Sequence, residues 1–113
     1  MNLGSIVRKK DDDKLMIVGY VYGNEIFDYY TTADIGEFTC YYCENDKIES
    51  IDLVESNCVD FIEETVNETF SVGDVVTLKI GNKKFVVCEV AGNDIYVKGS
   101  SSPYPSCIFK KVQ

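Results

Sequence analysis

Short apolar runs broken by Gly, Asn, Asp and Lys set the pattern of this chain, and β-branched and aromatic residues fill most of those runs. Such runs predict strands, because stiff or flat side chains pack well on a pleated surface. GSIVRKK and GDVVTLK read as first strands opened by a Gly, DDDK and IGNK as turns, and LMIVGYVY and KFVVCEVA as long second strands. GNEIFDYY and GNDIYVK then turn at Gly-Asn and return as third strands, since hairpin corners favour residues that tolerate positive φ. The first half continues as strands at about 37 to 43 and 48 to 54 around an ENDK turn, and the second closes with CIFKKV after the irregular loop GSSSPYPS. One segment has a different period. In SNCVDFIEETVNETF, Val59, Ile62, Val66 and Phe70 recur at helical spacing, Ser56 or Asn57 can cap, and Asp60, Glu63 and Glu64 suit a helix N-terminus.

The two halves repeat one another. Sliding the chain by 69 positions aligns residues 3–27 with 72–96 without a gap, and nine of the 25 pairs are identical, among them Gly4/Gly73, Val7/Val76, Val18/Val87, Val21/Val90, Gly23/Gly92, Asn24/Asn93 and Ile26/Ile95. Ordinary composition would give about one or two by chance. The match keeps both apolar positions and turn residues, which points to a duplicated unit.

Pattern and repeat together predict a mainly β fold: two tandem SH3-like small β-barrels from an internal duplication, joined by a short acidic helix. The expected divisions are residues 1–56 for the first barrel, 57–71 for the linker helix and 72–113 for the second barrel.

Composition narrows the chemistry. Histidine is absent, which removes the commonest general base and metal ligand. No Gly-rich phosphate loop and no activated nucleophile can be picked out, so the chain is expected to be no enzyme and to need no cofactor. No apolar run approaches the ~18 residues of a membrane span, and MNLGSIVRKKDDDK meets charge where a signal peptide needs an apolar core. A cytoplasmic location is therefore expected, with the five Cys reduced. The net charge of -8 is uneven: residues 1–56 carry 5 Lys+Arg against 12 Asp+Glu, 57–71 none against 4, and 72–113 carry 6 against 3.

CYYC, residues 40–43, is the loudest motif, because paired Cys can ligate zinc or form a redox couple. In a strand, however, Phe38, Cys40 and Tyr42 share one face and Thr39, Tyr41 and Cys43 the other. Thiols on opposite faces cannot chelate one ion, so no metal is expected; were zinc bound after all, Cys40, Cys43, Cys58 and Cys107 would be its ligands. Asp11, Asp12 and Asp13 lack the alternate spacing and distant Glu of a calcium loop and read as a solvated hairpin tip. Tyr supplies large contact area at little entropy cost. The candidate partner-binding residues are accordingly Tyr29, Tyr30, Tyr41 and Tyr104, with Asp11, Asp12 and Asp13; Tyr104, between Pro103 and Pro105, is the best candidate for exposure, and Tyr42 is assigned to the core.

Gly4-Ser5-Ile6-Val7, Lys14-Leu15-Met16-Ile17-Val18-Gly19 and Ile48-Glu49-Ser50-Ile51 carry a resemblance. Over roughly residues 3 to 55 the chain resembles the small bacterial family called domain of unknown function 4176. The chain has YYTTADIGEF where that family usually carries a Tyr-Pro-Glu-Gly segment. The resemblance implies a non-enzymatic accessory protein of type VII secretion loci, here a chaperone or adaptor for a secreted toxin. A protein partner is thus expected ahead of nucleic acid, and no membrane or small-molecule partner. Two alternatives rest on charge: an acidic immunity or inhibitor protein that blocks a basic site on a nuclease or nucleic-acid-binding target, and nucleic-acid binding through Lys79, Lys83, Lys84, Lys98, Lys110 and Lys111 of the second half.

Overall fold

The computed structural model of the chain describes residues 3–22, 37–55 and 58–112. They form ten strands: β1 (Ile6–Lys9), β2 (Leu15–Tyr22), β3 (Glu37–Glu44), β4 (Lys47–Glu55), β5 (Val59–Glu63), β6 (Val75–Leu78), β7 (Lys84–Ala91), β8 (Asp94–Val97), β9 (Tyr104–Pro105) and β10 (Phe109–Lys111), with a 3-10 turn at Ser106–Ile108. The fold is mainly β, as the apolar runs predict, and consists of two five-stranded antiparallel sheets. Among the described residues no helix is long and apolar enough to cross a membrane.

The sheets have one topology. Their orders are β4-β3-β2-β1-β5 and, read from the other end, β9-β8-β7-β6-β10. In each, an up-and-down run of four strands is completed by a fifth that returns to the first. The repeat also holds in register at the same offset of 69: Ile6 faces Ile17 as Val75 faces Val86, and Val7 faces Met16 as Val76 faces Phe85. A bulge falls between Val18 and Tyr20 in one sheet and between Val87 and Glu89 in the other. Even the entry to the first strand is copied. Gly4 N–H donates to Val18 O and Gly73 N–H to Val87 O, both at 2.8 Å, with φ of +85° and +96°. Those angles lie where a side chain costs energy, which is why each first strand opens on Gly.

Two expectations are corrected. Among the described residues no barrel closure is found, since the two end strands of each sheet are not paired with one another. The acidic helix expected over 57–71 is also not there: Val59–Glu63 is strand β5, paired with β1 through Val7/Phe61, Arg8/Asp60 and Lys9/Val59, and residues 64–70 continue without regular structure. The first sheet therefore takes its fifth strand from the segment assigned to the linker. Val59 and Phe70 are buried while Ile62 and Val66 are exposed, so the helical spacing does not mark one buried face. Pairing satisfies the outer backbone groups of β1, which no local helix could do. Thr65 and Asn67 side chains then donate to the carbonyls of Gly4 and Leu3 and hold the run-on segment against the start of β1.

The third strand of the first half is displaced as well. In the second half β7 turns at Gly92, φ +64°, and Val90 meets Ile95. In the first half the place beside Val21 belongs to Phe38, in β3, and GNEIFDYY lies outside the described residues. β3 and β4 form a longer hairpin than β8 and β9, turning at Asn45 and Asp46, both at positive φ.

Two apolar cores result. Val7, Met16, Val18, Phe38, Cys40, Val54 and Val59 fill one face of the first sheet. The larger core joins residues of both sheets: Ile17 and Tyr41 from the first pack with Phe70, Val76, Leu78, Val87, Ile95, Val97, Cys107, Ile108 and Phe109. The halves are thus stacked on shared side chains, not merely tethered.

Candidate functional site

Strand β3 divides the CYYC side chains between the two cores. Cys40 is buried among Phe38, Met16 and Val18, whereas Tyr41 and Cys43 face the second sheet. Burial pushes the Cys40 thiol up to about 12. Cys107 is raised by burial too, although Lys79 opposes the shift, and its Sγ lies 3.7 Å from the carbonyl oxygens of Val18 and Gly19. Cys58 and Cys88 are exposed, and no group of three or more metal-ligating side chains occurs among the described residues.

The tyrosines read as partner-binding take other places. Tyr41 is buried, a correction whose cause is the stacking of the halves: its ring lies 6.4 Å from that of Tyr20 and 6.3 Å from that of Tyr104. Tyr104, expected to be exposed, is half-buried because it continues the contact to Phe109, which in turn meets Phe85, each at 6.3 Å. An aromatic chain so formed bridges the sheets, and such tilted and edge-to-face pairs add about 0.5–1.5 kcal/mol each beyond burial. Tyr29 and Tyr30 lie outside the described residues. Tyr42 packs against the first core with the Lys14 ammonium 4.2 Å from its ring centre. Asp11, Asp12 and Asp13 form an exposed tip, where Asp11 and Asp12 lie within 4 Å of the Lys9 ammonium and Asp13 adopts φ +58°.

The lysines of the second half sort into three groups. Lys79 is a structural tie: its ammonium donates to Thr65 Oγ1 at 2.6 Å and Asn67 Oδ1 at 2.7 Å, and burial lowers its pKa. Lys110 and Lys111 stand on β10, with the Lys111 ammonium 3.9 Å from Asp74. Lys83, Lys84 and Lys98 line a groove that also takes Lys47 from the first half.

Sequence reasoning missed one surface. β5 is an end strand of its sheet, and Phe61, Ile62 and Val66 on it and beyond it are 50%, 39% and 83% exposed. Asp60, Glu63, Glu64 and Glu68 are interspersed with them. The signal was present as exposed-type acidic residues between large apolar ones, but the helical spacing assigned those apolar residues to a packed face. No family model, curated protein or solved structure matches the chain.

Proposed function

We propose that this protein is a non-enzymatic protein-binding factor that docks its partner along β5. The observation that carries the reading is the outer edge of β5, which pairs with no further strand among the described residues and where Phe61, Ile62 and Val66 are exposed among four acidic residues. An unpaired strand edge offers backbone donors and acceptors to an added strand, and exposed aromatic and aliphatic side chains supply the apolar contact. The interspersed carboxylates favour a partner with a basic rim.

Each half is read as an SH3-like small barrel left open, a reading supported by the shared strand order and by the 3-10 turn that precedes β10. The resemblance of residues 3–55 to the family of secretion-locus accessory proteins makes a secreted toxin the partner, with this chain its cytoplasmic chaperone or adaptor. The acidic setting of β5 also favours a second reading, an immunity protein covering a basic nuclease site.

Co-expression with the products of the neighbouring genes should yield a stable complex with a toxin. The double substitution of Phe61 and Val66 by Asp should abolish that complex while leaving the circular dichroism spectrum unchanged. No complex with the neighbouring product, or a complex indifferent to both substitutions, overturns the proposal. Inhibition of the toxin's activity that is lost steeply with salt would select the immunity reading.

A further inference from the structure

The two halves enclose a groove of about 640 Å³ that neither would form alone. One wall is the tip of the β3–β4 hairpin, with Asp46, Lys47, Ile48 and Glu49; the other is the start of β7, with Lys83, Lys84 and Phe85, and the loop from Lys98 to Ser102, with Tyr104 beside it. The hairpin tip and the Ser-rich loop join corresponding strand pairs, β3–β4 and β8–β9, but share neither length nor sequence. The site thus combines these two unlike connections with the start of β7, where the repeats match at Lys14 and Lys83.

Its charge is not balanced within the chain. Lys9, Lys10 and Lys111 lie within 4 Å of carboxylates, but Lys47, Lys83, Lys84 and Lys98 are in no ion pair among the described residues. All four are exposed, and they converge on one groove in a protein of net charge -8. Asp46 and Glu49 also line it, so the groove keeps an excess of two positive charges. The Ser loop is fixed in place: Ser100 N–H donates to Val97 O at 3.1 Å, Ser100 Oγ donates to Ser102 O at 2.9 Å, and Gly99 takes φ +92° to begin the turn. Phe85 and Tyr104 supply partly exposed rings beside the lysines.

The geometry points to a ligand that joins phosphate to an aromatic base, bound with its phosphates on Lys47, Lys83, Lys84 and Lys98 and its base against Phe85 or Tyr104. Ammonium groups and serine hydroxyls donate to phosphate oxygens, and a ring beside a cationic wall accepts a base by stacking. The volume suits one or two nucleotides and not a duplex, and the acidity of the rest of the chain opposes a long polyanion. A free nucleotide and the end of a single strand share this chemistry.

Fluorescence anisotropy with a labelled single strand about eight nucleotides long, and competition by a nucleoside triphosphate, by inorganic triphosphate and by oligoglutamate, tests the assignment. Binding of the strand at low salt is expected, falling roughly fiftyfold between about 50 and 200 mM salt if four contacts are made. The Lys83→Glu/Lys84→Glu double variant should weaken it at least about tenfold, since each lost contact also adds a repelling charge. Lys110→Glu, an equal change per residue on β10 away from the groove, should have little effect. Stronger competition by the nucleoside triphosphate than by more unlabelled strand identifies a free nucleotide; the reverse identifies nucleic acid. The proposal is overturned by no binding of any phosphate probe, by oligoglutamate competing as well as nucleotide, or by Lys110→Glu weakening binding as much as the groove variant.

Discussion

Ile17 and Val86 hold the same position in the repeated sheet, opposite Ile6 and Val75 respectively, yet Ile17 is fully buried and Val86 is 40% exposed. The difference lies in how the halves stack. The face of the first sheet that carries Ile17 is covered by the second half, whereas at the equivalent position of the second sheet Val75 and Val86 stay 38% and 40% exposed. Ile17→Ala should cost about 2–5 kcal/mol of stability, as truncation in a packed core does. Val86→Ala should change it by no more than about 0.5 kcal/mol. Urea denaturation of both variants checks the pair; equal losses would mean that the stacking is wrong.

Gly19 has the same use of its missing side chain. A Cβ there would lie 2.4 Å from Tyr41 Cε1 and 2.8 Å from Pro105 Cγ, so the missing side chain lets Pro105 of the second half sit close over the backbone of β2. Gly19→Ala should destabilise by about 1–3 kcal/mol through overpacking. Gly73→Ala meets no atom within 4 Å but sits at φ +96°, so its cost, about 1–2 kcal/mol, is backbone strain. Replacing Tyr41 by Leu should relieve part of the first penalty and none of the second, which a double-mutant cycle in thermal melts would read.

Cys40 gives the protein an alkaline weakness. The folded state holds the thiol neutral up to about 12, while the ordinary value is 9.0. Between those values the unfolded chain has released the proton and the folded one has not, so stability is intact below pH 9 and falls as pH rises from there towards 12. The slope from this group is at most about 1.4 kcal/mol per pH unit. Lys79 works in the opposite direction: burial lowers its pKa, so stability is gained as pH approaches the ordinary value of 10.5 from below. Comparing chemical denaturation of the parent and Cys40→Ala across pH 8 to 11 should show the alkaline loss reduced in the variant.

Thiol labelling should divide the five cysteines by depth. Cys58 and Cys88 are exposed and should react with an aromatic disulfide reagent within minutes at pH 8, whereas Cys40 and Cys107 should react only after unfolding. Cys43, half-buried and raised by burial, should fall between them. Four or more fast equivalents would contradict the stacked arrangement.

Most strands could be read from the chain because each is a compact local signal. The runs at 15–22 and 84–91 are bounded by turn residues, and the ENDK turn appears where Asn45 and Asp46 take positive φ. The repeat supplied more than composition could, since the offset that aligns Ile6 with Val75 also aligns their partners. β5 was hidden because its reason for existing is distant: β1 needs a neighbour, and Val59 reaches it across fifty residues of chain. The same limit applied to Tyr41. Alternation along β3 assigns its face correctly, but what covers that face depends on a second sheet whose approach no local pattern encodes. GNEIF and GNDIY match as text, yet Phe38 fills the position beside Val21 that Ile95 fills beside Val90.

The return of β5 to β1 and of β10 to β6 separates two kinds of cohesion in this molecule. Among the described residues every backbone ladder is made within 6–63 or within 75–111, while the larger side-chain core belongs to both. A cut in the exposed stretch 71–73 would therefore break no ladder. The two pieces would remain associated as a noncovalent pair, and on separating, each would present the surface by which it recognises the other.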